Sequence, residues 1–407
     1  MKIKHLVIEN FRAIEHLELH CADGMNVFIG DNGTGKSTVL EAVAVLYSWL
    51  PALVKSPNGK GRTVAEKDIK QGAFYCYLQI GVEYKGNQVE WSLMRGEERT
   101  EKRTRLNELR SFAEHLRYSV EDNKPLLTLY GINRNITAIS VDKNLYDTKE
   151  KKDRSATAIF NWRSFFNWYY ERENEENRMK ARFNPKYHDE TLDAVRHCME
   201  EVFPGYTNLR IEDRPRTHFV VDKQGMAIDF SMLSDGEKSY ITLVLDIARR
   251  LAERSEDPTA MFSCEHVILI DEVDLHLHPS WQLFVISNLR RMFPGCQFFV
   301  TSHSPLVLSS LEQQGQLVVL KNGRRFEVSD IPYGDNGDYI LKRFFGLSDV
   351  RNPKVQREID ALAAELGKQK PNVEQVEQAL DKLSREGVNF DEAAKMRLVL
   401  AQKKKEQ

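Results

Sequence analysis

The sequence predicts an α/β fold, a mixed sheet with a glycine-rich loop plus an antiparallel lobe, interrupted by a helical insertion and followed by a helical C-terminal region. Three observations carry that expectation. A strand-like run, Met25 to Ile29, leads into Gly30-Asp31-Asn32-Gly33-Thr34-Gly35-Lys36-Ser37 and then into a helical pattern. A second apolar run, Val267-Ile268-Leu269-Ile270, ends in Asp271 and Glu272, as a buried strand of a parallel sheet would. From Ser234 to about residue 328, helical and strand patterns alternate.

Residues 3–9 and 16–20 read as strands, the second alternating Leu17 and Leu19 with His16, Glu18 and His20. The helix starting near Lys36 gathers Leu40, Val43, Tyr47 and Leu50 on one face, and Pro51 is expected to end it. Residues 73–95 read as a hairpin, with Tyr75, Tyr77 and Gln79 leading into Gly81 and a return over Val89 to Leu93. The stretch Arg95 to Arg105 is dense in both charge signs and reads as a solvated loop, with contact to a phosphate backbone as the alternative. Residues 140–205 carry Phe160, Trp162, Phe165, Phe166, Trp168, Tyr169 and Tyr170 and read as two or three helices. Such crowding marks a packed core or, alternatively, a partner surface. Strands return over 207–230, and the end of the chain is helical, with Val355, Ile359, Leu362 and Leu366 on one face and Val376, Leu380 and Leu383 on the next. The expected divisions are 1–139, 140–205, 206–330 and 331–407.

At 407 residues the chain can bury a full core. Its 58 basic and 60 acidic residues leave a formal charge of -2, so any contact with DNA must be a local patch. Cys21, Cys76, Cys198, Cys264 and Cys296 lack CxxC spacing and read as reduced thiols. No apolar run is seen near the roughly 20 residues a membrane span needs, and the expectation is a cytoplasmic protein.

Glycines spaced as Gly30-x4-Gly35 before Lys36 and Ser37 let backbone N–H groups wrap phosphates; Lys36 adds positive charge and the Ser37 hydroxyl suits Mg²⁺. Asp271 is placed to hold the same ion and Glu272 to polarise an attacking water. Leu233-Ser234-Asp235-Gly236-Glu237-Lys238 opens a helix, either as an anion site or simply as an N-cap through Ser234 or Asp235. Asp274-Leu275-His276-Leu277-His278-Pro279 and Thr301-Ser302-His303-Ser304-Pro305 follow. They read as a phosphate-sensing loop and histidine, with a metal site of His276, His278 and His303 as the alternative.

In this order the elements resemble ABC-type ATPases of the SMC, RecF and OLD branch over residues 1–60 and 205–330, and Ile8-Glu9-Asn10-Phe11-Arg12 is similar to that branch too. The resemblance implies an ABC-type ATPase head with ATP and Mg²⁺ as cofactors and hydrolysis to ADP and phosphate. It implies catalytic roles for Glu272 and His303. It implies nucleotide contacts from Arg12, Asn32, Gly33, Thr34, Gly35, Lys36, Ser37, Thr38 and Asp274, and Mg²⁺ ligation by Ser37 and Asp271. Ser234, Gly236 and Glu237 would meet the nucleotide of another copy, which makes the active unit a homodimer or higher homo-oligomer.

The chain departs from that branch in lacking a clear glutamine loop; Tyr130-Gly131-Ile132-Asn133-Arg134 stands there, with Asn133 and Arg134 as substitutes. It also lacks coiled-coil arms and the acidic cluster of a Toprim nuclease. Trp168-Tyr169-Tyr170-Glu171-Arg172-Glu173-Asn174-Glu175-Glu176-Asn177 and the helical end look most like PtuA-type ATPases of Septu and related retron anti-phage systems. That likeness implies a regulatory ATPase controlling a partner nuclease of HNH type. The alternatives are a RecF-like repair ATPase that clamps DNA on binding ATP, and a nucleotide-gated scaffold with negligible turnover.

Overall fold

A computed structural model describes residues 1–97, 102–118, 127–131, 157–159, 162–214, 216–255, 262–328, 330–347, 351–368, 371–386, 388 and 391–406. Two compact units divide it, Met1–Ile340 and Leu341–Gln407.

In the first unit, β1 (Lys2–Phe11) and β2 (Ile14–His20) pair antiparallel, and the alternation in β2 buries Leu17 and Leu19 while leaving His16, Glu18 and His20 outside. Then come β3 (Met25–Gly30), α1 (Lys36–Tyr47), α2 (Trp49–Lys55), β4 (Tyr75–Tyr84), β5 (Asn87–Gly96), α3 (Asn107–Tyr118), β6 (Leu127–Tyr130) and β7 (Thr157–Ile159). The insertion contributes α4 (Trp162–Arg182) and α5 (Glu190–Val202), followed by β8 (Tyr206–Glu212), β9 (His218–Lys223) and β10 (Met226–Asp229). The chain continues through α6 (Asp235–Ala252), β11 (Val267–Ile270), α7 (Pro279–Gln282), α8 (Val285–Met292), β12 (Gln297–Thr301), α9 (Pro305–Ser309), β13 (Gln316–Lys321) and β14 (Arg324–Phe326).

The main sheet has 11 strands in the order β5-β4-β1-β2-β14-β13-β3-β12-β11-β6-β7. From β13 to β7 every neighbouring pair is parallel, whereas β5, β4, β1 and β2 form the antiparallel lobe. The strands β8, β9 and β10 make a separate antiparallel sheet. Helix α1 touches β1, β4 and β5 of the lobe as well as β3, β6 and β12 of the parallel run, so one core joins the two parts. In β6 the period of two is decisive: Leu127 and Leu129 join that core, while Thr128 and Tyr130 take the other face and bond to His266 and Asp246.

Three expectations need correction. Pro51 does not end the first helix: the break falls at Ser48, and Pro51 sits in the first turn of α2, where its missing N–H has no helical partner to lose. Gly81 is not a turn but lies within β4 opposite Glu90, and the reversal is made by Lys85 and Gly86, at φ 49 and 81, between the paired Tyr84 and Asn87. The stretch Lys36–Lys55 is apolar and long enough by composition to cross a membrane, which the sequence reading did not see; 67% of its apolar 18-residue window is buried, because its side chains fill the core around the sheet.

The aromatic insertion is a packed core. Phe165, Phe166 and Tyr169 of α4 surround Phe219 of β9, which also meets Phe230. Phe160 lies outside the described residues. None of the five cysteines is in a disulfide, and burial pushes Cys76 and Cys296 up to about 12, so neither carries thiolate at neutral pH.

Helix α10 (Gly337–Phe344) spans the boundary of the two units. The second unit continues with α11 (Pro353–Leu366), α12 (Val373–Arg385) and α13 (Asp391–Glu406). Its core is Ile359, Leu362, Leu366, Val376, Leu380, Leu383 and Leu400, the stripes expected from the 3.6-residue period.

Candidate nucleotide site

The carboxyl ends of β3, β11 and β12 lie side by side, the edge at which open α/β sheets bind ligands. The loop after β3 closes through Thr34, whose hydroxyl donates to the Asp31 carbonyl at 2.9 Å. Asn32 and Gly33 are exposed at its tip. Gly35 has φ 104, and a Cβ there would stand 2.8 Å from Ile14 Cγ1, so no other residue fits without moving the β1–β2 turn. It caps α1 without any side-chain bond, which leaves the first-turn N–H groups open to an anion.

Lys36 is 6% exposed and donates to the carbonyls of Gly30 at 2.8 Å and Asp31 at 2.9 Å. Burial pulls its ammonium below the usual lysine range, and the nearby carboxylates of Asp271, Glu272, Asp31 and Asp274 counter only part of that. The uncapped helix start and this buried cation together fit a phosphate chain. Thr38 is half-buried beside them.

Asp271 gathers the site. Its Oδ1 accepts from Ser37 Oγ at 2.9 Å and from Thr301 Oγ1 at 2.6 Å. Thr301 Oγ1 in turn accepts from the Glu272 N–H at 2.7 Å, and Glu272 is held at φ 48, off the strand direction. A hydroxyl and a carboxylate meeting in this way are the donor set a magnesium ion takes.

Two loops flank this centre. Asp274 Oδ1 is buried with no hydrogen-bond partner. His303 is half-buried between Ser302, whose N–H donates to the Phe28 carbonyl at 3.1 Å, and Ser304, the N-cap of α9. Ser304 Oγ donates to Gln282 Oε1 at 2.6 Å, and Gln282 Nε2 donates to the Leu277 carbonyl at 2.9 Å, tying the histidine loop to the loop after Asp274. Among the described residues, His276, His278 and His303 do not approach as a metal trio.

Ser234 is the exposed N-cap of α6 in a full capping box with Glu237, as the N-cap alternative expected. Gly236 abuts the loop after Asp274: a Cβ on it would lie 2.2 Å from the His276 carbonyl oxygen. Glu237 is already engaged. Its carboxylate accepts from the Ser234 N–H at 2.7 Å, from Lys223 Nζ at 2.5 Å and from the Tyr206 hydroxyl. Desolvation works against the charge, but those donors outweigh it and hold the carboxyl at about 2. Arg12, at φ 50, donates from Nε to Asp68 Oδ1 at 2.8 Å and comes within 3.7 Å of Glu41, one turn beyond Ser37 on α1.

The sequence reading named Thr301 and Tyr130 as the first residues of their motifs without their bonding roles, and missed Gln282 and Asp246, single polar residues at no fixed spacing that offered no signal. Asn133 and Arg134 lie outside the described residues.

Comparison with known proteins gives the chain its family and its relatives. The sequence matches the family described as RecF/RecN/SMC N terminal domain over residues 2–325. It is 25% identical to "Retron Ec83 probable ATPase" of Escherichia coli over 415 residues, covering 85% of this chain and 76% of that protein. It is 26% identical to "Septu protein PtuA" of Bacillus mycoides over 405 residues, 94% of this chain and 50% of that protein, and so spans half of that relative. The "SMC head domain from Thermotoga maritima" is similar at 16% identity, covering 81% of this chain and 100% of that one, with a TM-score of 0.43. The chain belongs to the RecF/RecN/SMC N terminal domain family of ATPases.

Proposed function

We propose that two copies of this protein bind ATP with Mg²⁺ between them and hydrolyse it, and that the resulting switch serves an anti-phage complex through a partner nuclease of HNH type. The observation that carries the ATPase reading is the position of Asp271, whose one oxygen joins Ser37 of the phosphate loop to Thr301 of the histidine strand. Lys36 and the loop N–H groups around Asn32, Gly33, Thr34, Gly35 and Thr38 hold the phosphates, and Arg12 flanks them. Ser37 and Asp271 hold Mg²⁺, which supplies charge neutralisation to the transferring phosphoryl group. Glu272 takes the proton of the attacking water, and His303 orients it. Asp274 sits in the loop linking the two sites. Ser234 and Gly236 of the second copy close the site, while Glu237 keeps that loop in shape.

The defence role is supported by the relatives: retron and Septu proteins align with 85% and 94% of this chain. Under this reading the protein works in the cytoplasm. The test has two arms. Phosphate release is measured for the purified chain, with Lys36→Ala and Glu272→Gln as controls; turnover unchanged in both would sink the ATPase assignment. Co-expression with the product of the neighbouring reading frame then reads the partner, and recovery of the chain alone would remove the nuclease from the proposal.

A local match of 34% identity over 110 residues to RecF of Clostridium botulinum favours a second reading, an ATPase that clamps DNA. ATP-dependent DNA binding by this chain alone, weakening steeply with salt, would be its mark.

A further inference from the structure

The outer face of the β1–β2 hairpin carries a cluster that the nucleotide site does not use. His5 and His20 oppose each other across the hairpin, their rings stacked with centroids 5.0 Å apart and planes at 24°. Glu18, two residues before His20 and on the same face, brings Oε1 within 3.0 Å of His5 Nε2. One ligand atom from each of the three lies within 4.8 Å of the other two.

The surrounding backbone is shaped to present this group. The pairing of β1 with β4 breaks register between Ile3 and His5, a bulge of the kind that re-aims a side chain. Opposite His5 on β4 stands Gly81, and a Cβ there would come 3.4 Å from His5 Cβ, so the residue directly across sets no side chain beside His5. The Glu90 carboxylate lies beyond that gap, with Oε2 3.9 Å from the place a Gly81 Cβ would occupy.

We propose that His5, Glu18 and His20 form a binding site for a divalent transition-metal ion of the zinc class, with water completing its shell. Two imidazoles and a carboxylate are a donor set such ions favour. Zinc bonds of about 2.1 Å separate ligand atoms by roughly 3.3 Å, so the three groups need close by only about 1.5 Å through side-chain rotation. A bound ion pins β1 to β2, the hairpin whose Ala13 and Ile14 pack on Gly35 of the phosphate loop. The other trio of this type, Glu176, His188 and Asp193, is different: Lys180 and Arg196 already neutralise its carboxylates and repel a cation.

The test uses the whole chain, nucleotide-free and stripped with a chelator, titrated with zinc chloride against a chromophoric chelator and with cobalt chloride for its visible absorption. One ion per chain is expected, with a rise in melting temperature. His5→Ala and His20→Ala each weaken binding by about tenfold or more and abolish the melting shift. His16→Ala, on the same face beside Glu9, leaves both unchanged. Should an alanine variant fail to fold, His5→Gln and His20→Gln keep the polarity and shape and are expected to weaken zinc equally. Absence of stoichiometric zinc binding by the unmodified chain, or full zinc affinity in the His5→Ala, His20→Ala double variant, overturns the site.

Discussion

The Tyr130 hydroxyl donates to Asp246 Oδ2 at 2.9 Å, while the Tyr130 carbonyl accepts from the Asp271 N–H at 2.8 Å. One residue thus joins the carboxylate strand to the helix that opens with Ser234. Asp246 is fully buried, which pushes its carboxyl up, but Arg250 at 2.6 Å and Arg249 at 2.8 Å prevail and keep it below the usual carboxylate range. Asp246→Ala removes the carboxylate that the buried Arg249 and Arg250 share, leaving Arg249 its outer bond to Glu253, and is expected to cost about 3–5 kcal/mol. Tyr130→Phe removes one hydrogen bond and costs about 1 kcal/mol. Denaturant unfolding of both variants checks the order; equal midpoints would contradict it.

Glu272→Gln is expected to lower phosphate release by about 100-fold or more while leaving ATP binding near its starting affinity. Thr301→Val leaves the Glu272 N–H and Asp271 Oδ1 each short of a partner, so turnover falls on the order of tenfold with little change in affinity. Single-turnover kinetics beside equilibrium binding separate the two effects.

Ser234 is exposed, so Ser234→Arg costs the cap of α6, about 1 kcal/mol, without disturbing the core, and is expected to abolish hydrolysis while sparing ATP binding by a single copy. Gly236→Ala forces the start of α6 away from the His276 carbonyl, at about 1–3 kcal/mol of stability, and blocks hydrolysis in the same way. Loss of binding together with hydrolysis in the Ser234 variant would count against a site completed by a second copy.

Acid should loosen the start of α6. Glutamate titrates near 4.5 when unfolded and Glu237 near 2 when folded, so its contribution is complete above 4.5 and fades as the pH falls toward 2. The melting temperature of the unmodified chain is therefore expected to exceed that of Glu237→Gln at neutral pH, with the gap closing below 4.5. Lys223→Ala, which removes one of the donors that hold the charge, should narrow the neutral-pH gap. A gap that stays constant through the acid range argues against the clamp.

Much of this organisation is legible in local pattern. The spacing from Gly30 to Ser37 specifies a strand, a loop and a helix because backbone sterics admit little else, and the alternation of Leu17 and Leu19 with His16 and His20 fixes which face of β2 is buried. What escaped notice depends on distance in sequence. Thr301 touches Asp271 from 30 positions away and Tyr130 reaches Asp246 across 116, and although both stand in motifs visible in the sequence, no local pattern marks either pairing. Pro51 misled for the opposite reason: the rule that proline breaks helices holds in their interior, and this proline lies in a first turn.

Lys36, held by the carbonyls of Gly30 and Asp31, has a consequence for how quickly the loop can be filled. Those two carbonyl oxygens play the part the oxygens of an anionic guest would play, and they fix where the ammonium stands. Occupation then becomes a change of partners at one side chain. The ordering cost has already been met when the chain folds, and entry need not wait for the loop to form.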